Sequence, residues 1–175
     1  MKIDLKKLRE MHPELPGEVE IAMLVRAALA LQRNGHATGV AVTLQLERAL
    51  SSGSLAWSHA DMTTIDQHDR NRITEDGAEA VALAVIHKQL DWRVVRRMQR
   101  EEYADWLLHR TVGARRETAA LEVSGVDRGS ITSRLTQKLA QVAKSTDVDQ
   151  RWAGVVGFDE PIAALQSKTR GKRAK

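Results

Sequence analysis

The run Ala119-Ala120-Leu121-Glu122-Val123-Ser124-Gly125, with Tyr103-Ala104-Asp105-Trp106-Leu107-Leu108 before it, reads as two neighbouring strands that bring two carboxylates together. Successive side chains of a strand point to opposite faces, so Ala119, Leu121 and Val123 share one face and Ala120, Glu122 and Ser124 the other. Glu122 then projects from an otherwise apolar segment. A carboxylate in such a place is expensive unless a cation or several hydrogen bonds satisfy it. With a second acid, Asp105, close by, a divalent metal is the economical partner, and the expectation is a metal-dependent hydrolase or a relic of one.

Outward from this pair, the apolar residues Ile21, Leu24, Val25, Ala28 and Leu29 recur at helical spacing over Glu18 to Gln32, and Asn34-Gly35 ends that helix. Val40, Val42, Leu44 and Leu46 alternate as a half-buried strand does; Ser51-Ser52-Gly53 reads as a turn and Leu55-Ala56-Trp57 as the partner strand of a hairpin. Asp61 to Arg72 is polar and reads as a loop or short helix. The next helix is expected near Thr74 as its cap, with Glu75 and Asp76 in its first turn and a stripe of Ala78, Val81, Ala82, Val85 and Ile86. Trp92 to Met98, Tyr103 to Leu108 and Thr118 to Val123 are three extended runs. Ser130 caps a last helix with the stripe Ile131, Leu135, Leu139 and Val142, and Trp152 to Phe158 is a short buried strand.

At 175 residues the chain is most simply one domain, large enough to bury a core. It has no cysteine, which excludes disulfides, thiolate metal sites and a cysteine nucleophile, and fits a reducing compartment. The start, Met1 to Lys7, has no continuous apolar segment, and Ile21 to Leu31 is short and broken by Arg26, so a cytoplasmic, soluble protein without a membrane partner is expected. The net charge of +4 owes much to a basic tail holding Lys168, Arg170, Lys172, Arg173 and Lys175; removing those five charges leaves −1. Such a tail is either a solvated end or a weak, salt-sensitive contact for phosphate polymers.

From Thr74 onward the order helix, strand, strand, strand, helix, strand resembles the core of the PD-(D/E)XK nuclease superfamily. The resemblance covers residues 74–160, and it implies an α/β, restriction-endonuclease-like core (α-β-β-β-α-β, a mixed sheet flanked by helices). Residues 1–73 would add a helix and a β-hairpin packed on that core, and residues 167–175 the tail. By this resemblance Asp105 is the acid near the second core strand and Glu122 the (D/E)XK acid on the third, and together with the carbonyl of Val123 they would hold Mg²⁺ or Mn²⁺. A glutamate of the first core helix, Glu79 or Glu75, would assist. The motif lysine would fall at position 124, where this chain has Ser124. Arg134, Lys138 and Gln141 form one polar stripe on the following helix, so Lys138 is the candidate for a displaced lysine and Gln141 for a contact to the metal-bound water or phosphate. The implied substrate is nucleic acid, DNA before RNA. The alternative is an inactive nuclease-fold module that binds a protein partner or a second copy of itself within a larger bacterial assembly.

Competing readings of these residues are ordinary. Asp105 and Glu122 could pair with Arg96, Arg97 or Arg116, and the polar stripe could be a solvated helix face. His59 and His68 with Asp61, Asp66 and Asp69 match no strong zinc spacing. Asp127 reads as a turn acid. No Gly-x-Ser-x-Gly elbow or phosphate-cradling glycine loop is present, and the four tryptophans look like core residues rather than a base-stacking surface.

Overall fold

The computed structural model describes residues 1–168; most of the basic tail, from residue 169 on, lies outside the described residues. The chain begins with a short strand β1 (Lys2–Asp4) and a short helix α1 (Leu8–Met11), followed by α2 (Gly17–Arg33). The hairpin β2 (Val40–Leu46) and β3 (Ala49–Ala56) comes next, then the long helix α3 (Arg70–Leu90). A meander of β4 (Arg93–Arg97), β5 (Trp106–Val112) and β6 (Arg115–Val126) leads to α4 (Ile131–Val142), and β7 (Gln150–Gly157) and β8 (Ile162–Ser167) complete the chain.

All eight strands form one sheet in the order β1-β3-β2-β8-β7-β6-β5-β4. The pairs β4/β5, β5/β6, β7/β8 and β2/β3 are antiparallel, whereas β6/β7, β2/β8 and β1/β3 are parallel. The β6-α4-β7 segment supplies the crossover that a parallel pair needs. Helices cover both faces, so the protein is an α/β fold with a mixed sheet.

Strand β6 records the two faces in its own residues. Ala119, Leu121 and Val123 belong to the core shared with α2 and α3, while Ala120 packs with Leu135 and Val142 of α4 and with Ala153 and Val155. Every residue from Ala119 to Gly125 is buried, as expected for a strand covered on both sides. Helix α3 lies between the sheet and α2, and Gly77 to Ile86 is buried on every side. A single apolar stripe is therefore too narrow a description: a helix enclosed on all sides is apolar all round. Gly77 sits where a Cβ would come within 3.0 Å of the Ala27 backbone, which lets α2 and α3 approach closely. Trp57, Trp92, Trp106 and Trp152 are all buried, at 5% exposure or less.

Several boundaries differ from the expectations, each for a local reason. Ser51-Ser52-Gly53 lies inside β3, paired with Leu44, Thr43 and Val42 in that order; the hairpin turns at Glu47-Arg48, where Glu47 takes a positive φ of 55°. Helix α3 starts at Arg70 because Asp69 accepts the Arg72 N–H as its cap, so Thr74 is in the second turn, its hydroxyl donating to the Arg70 carbonyl. The division at residue 73/74 consequently falls inside this helix. Tyr103 is not extended: it closes a one-turn 3₁₀ helix (Arg100–Glu102) at φ 60°, and β5 begins at Trp106. The expected N-terminal hairpin is present, but it extends the main sheet through β2 against β8. No helix of the described residues is long and apolar enough to cross a membrane.

Candidate functional site

The site forms where β5 has just begun and β6 runs on past it. Trp106 pairs with Leu121, and Asp105 donates its N–H to the Leu121 carbonyl at 3.0 Å. Beyond this point β6 has no β5 partner, and the Asp105 carboxylate takes up the free donor: Oδ2 accepts the Val123 N–H at 2.7 Å. Glu122, one residue earlier on β6, points toward α4, where Lys138 Nζ lies 2.5 Å from Glu122 Oε1. The Asp105 and Glu122 carboxyls lie within hydrogen-bonding reach of each other. Asp105, Glu122 and Lys138 thus converge, brought together by strand alternation and by the helix face that α4 lays on the sheet.

The electrostatics follow from burial. Glu122 is 3% exposed, and desolvation followed by the negative charge of Asp105 pushes its carboxyl up from the ordinary value, with Lys138 opposing. Asp105 is also raised, chiefly by burial, against the Val123 N–H and the positive charges of Lys138 and Arg97. A buried acid pair of this kind favours holding one proton between two carboxyls or attracting a cation.

A second layer surrounds the pair. Glu79 of α3 is buried and engaged on two sides: Arg97 Nη2 donates to Oε2 at 2.5 Å, and Trp106 Nε1 donates to the same oxygen at 3.1 Å. Burial pushes Glu79 up to about 7 even though Arg97 pulls it down. Arg97 also stacks over the Trp106 ring, 4.5 Å from its centroid. Glu75 accepts from the Ser124 hydroxyl at 3.2 Å and from the Gly125 N–H at 3.0 Å. Ser124, where the resemblance would place a lysine, is fully buried and donates its hydroxyl to Glu75 of α3, whereas the amine beside the acid pair comes from α4. Gln141 is half-buried one turn beyond Lys138, and Arg134 one turn before it is exposed. No side-chain hydrogen bond links Gln141 to the acid pair among the described residues.

Of the arginines near in sequence, none pairs with Asp105 or Glu122: Arg97 pairs with Glu79, Arg96 with Glu102. Asp127 is an anchor rather than a simple turn acid. Both its oxygens accept from Arg33 Nη2, at 2.5 and 2.6 Å, and the Thr74 hydroxyl oxygen lies 3.1 Å from Oδ2, tying α2, α3 and the end of β6 together. Asp61 and Asp69 are consumed as helix caps.

The donor chemistry suits a hard cation. Mg²⁺ takes six oxygens and keeps several waters, so one or two carboxylates suffice. Asp105 and Glu122 supply two buried carboxyls in mutual contact, the arrangement a cation relieves. Among the described residues no group of three or more His, Cys, Asp or Glu side chains could hold a metal ion; Asp105 and Glu122 are a pair of acids with the Lys138 ammonium already against one of them.

Comparison with protein-family models, with curated proteins and with solved structures finds no match. The fold class the coordinates define is α/β with a mixed sheet.

Proposed function

We propose that this protein is a metal-dependent nuclease-like protein of the PD-(D/E)XK type, acting on nucleic-acid phosphodiesters with Mg²⁺ or Mn²⁺. The observation that carries the reading is the meeting of Asp105, Glu122 and Lys138 at the point where β5 and β6 part. The succession α3-β4-β5-β6-α4-β7, with an antiparallel meander followed by a parallel crossover, supports the same reading.

Asp105 and Glu122 would hold the ion, whose chemistry is to acidify a bound water and neutralise charge on the phosphoryl oxygens. Lys138 would release its contact with Glu122 to orient the attacking water or stabilise the anionic transition state. Asp105 is fixed for its task by the Val123 N–H, which sets the carboxylate's direction without using both oxygens. Glu79, held by Arg97 and Trp106, flanks the pair on the α3 side and fixes the Arg97 guanidinium and the Trp106 indole beside it.

The reading is tested by incubating labelled single- and double-stranded DNA and RNA with the purified chain in Mg²⁺ or Mn²⁺, beside Glu122→Gln and Lys138→Met. Cleavage lost in both variants supports it. Cleavage unchanged in Glu122→Gln overturns it. The second reading, an inactive module for a protein partner, is favoured by the same Lys138 contact, since an ammonium 2.5 Å from Glu122 can neutralise the pair by itself. Absence of cleavage together with a stable complex or oligomer is its expected outcome.

A further inference from the structure

Two cations flank the acid pair, and they are not equivalent. Lys138 approaches from α4 with a side chain only 19% exposed, its ammonium committed to Glu122. Arg97 approaches from the edge strand β4, opposite Trp106 in the ladder and next to Asp105, whose carbonyl accepts the N–H of Met98. Its side chain is 48% exposed. The two nitrogens of its guanidinium reach Glu79 at 2.5 and 3.4 Å, the second too long for a strong bond, so the fork is only half used. The indole of Trp106 holds the plane from one side.

From these contacts we infer that Arg97 is the phosphate-binding residue of the site: a guanidinium pre-oriented by Glu79 and Trp106 that grips a backbone phosphate of the nucleic acid beside the acid pair. The inference rests on the nuclease reading and adds to it the group that receives the polymer. A guanidinium matches a phosphate bidentately and is weakly hydrated, whereas the half-buried Lys138 ammonium is committed to Glu122 and has no fork. Stacking on an aromatic ring limits the rotamers of a long side chain, so less freedom is lost on binding. The neighbouring Arg96 lacks this role because both its terminal nitrogens are already engaged by Glu102, at 2.7 and 2.8 Å.

The experiment is fluorescence anisotropy of a labelled duplex DNA with the full chain in Ca²⁺, which takes oxygen ligands without supporting the Mg²⁺ geometry, across a salt series. Wild type, Arg97→Gln, Arg97→Lys and the control Arg96→Gln are compared, with thermal melts to establish that each is folded. Loss of one phosphate contact lowers the slope of log K against log salt by about 0.9. The expected result is that drop in Arg97→Gln with roughly ten-fold weaker binding, an intermediate affinity in Arg97→Lys, and less than half the slope change in Arg96→Gln. DNA binding by wild type with an unchanged slope in Arg97→Gln overturns the assignment while leaving the nuclease reading standing; so does an equal drop in Arg96→Gln. If Arg97→Gln does not fold, Arg97→Lys carries the decision, an affinity equal to wild type overturning the assignment. Failure of wild type to bind any nucleic acid overturns the nuclease reading and the assignment with it.

Discussion

Replacing Lys138 with Met removes the ammonium that faces Glu122 while keeping most of the side chain's volume between α4 and β6. Removing one partner of a buried ion pair typically costs about 3–5 kcal/mol, because the other charge is left without compensation. Lys138 is partly exposed, so the lower end, about 3 kcal/mol, applies where Glu122 must be ionised. The deficit depends on pH. The Glu122 carboxyl is raised in the folded state, so its contribution to stability is complete below the ordinary carboxyl value and is lost as pH rises through the raised value. Loss of Lys138 raises that value further. Near pH 5 Glu122 takes up a proton and the variant loses only about 1 kcal/mol, the scale of one hydrogen bond; near pH 8 it shows the full loss. For a chain of this size each kcal/mol corresponds to roughly 2–4 °C in melting temperature, so a deficit of about 6–12 °C is expected near pH 8 and a few degrees near pH 5. Thermal melts by circular dichroism at the two pH values measure it. An equal deficit at both would mean that Glu122 does not titrate against Lys138, and the electrostatic description of the site would be wrong.

Two further perturbations probe the scaffold that holds the site. His12 is fully buried, its Nε2 donating to the Leu83 carbonyl at 3.0 Å and its Nδ1 accepting the Val94 N–H at 3.1 Å. Burial lowers it to about 4, so it contributes stability above the ordinary histidine value that is lost as pH falls toward 4; His12→Leu should remove that acid-side loss while costing about 1–3 kcal/mol at neutral pH for the unpaired Val94 N–H, both readable in urea titrations. Gly125→Ala places a Cβ 2.2 Å from the Thr74 carbonyl oxygen, a contact that only backbone movement relieves. It should cost about 1–3 kcal/mol or more and separate α3 from β6, which hydrogen exchange at the Gly125 amide would register; an unperturbed melt would contradict the close approach.

The acid pair was legible because strand alternation is strict. Once Ala119 to Val123 is read as a strand, Glu122 must face away from Leu121, and whichever helix covers that face supplies its neighbour. Lys138 was reachable by the same logic, through its place on the polar side of a helix whose apolar stripe was clear. Glu79 was a candidate from its place on the helix, but its partners were not legible: Arg97 and Trp106 lie 18 and 27 residues from it in the chain, and no local pattern selects Arg97 over Arg96. The Arg33–Asp127 anchor spans 94 residues and is equally silent in sequence. Strand β8 has no sequence signature of its own because Ala163-Ala164-Leu165 lacks the alternation of a half-buried strand; it is buried on both faces beside β7. Asp69 did carry a local signal, as aspartate is a favoured N-cap residue, but Thr74, followed by Glu75 and Asp76, offered a similar one nearer the apolar stripe.

Calorimetric titration of Mn²⁺ into the wild-type chain, Glu122→Gln and Asp105→Asn addresses the meeting of the two acids around a cation. Binding to the wild type, with heat that changes with the buffer's ionisation enthalpy because a proton leaves the carboxyl pair, and loss of binding in both variants is the outcome expected here. No heat with the wild type, or undiminished binding in Glu122→Gln, would mean that Asp105 and Glu122 do not hold a metal.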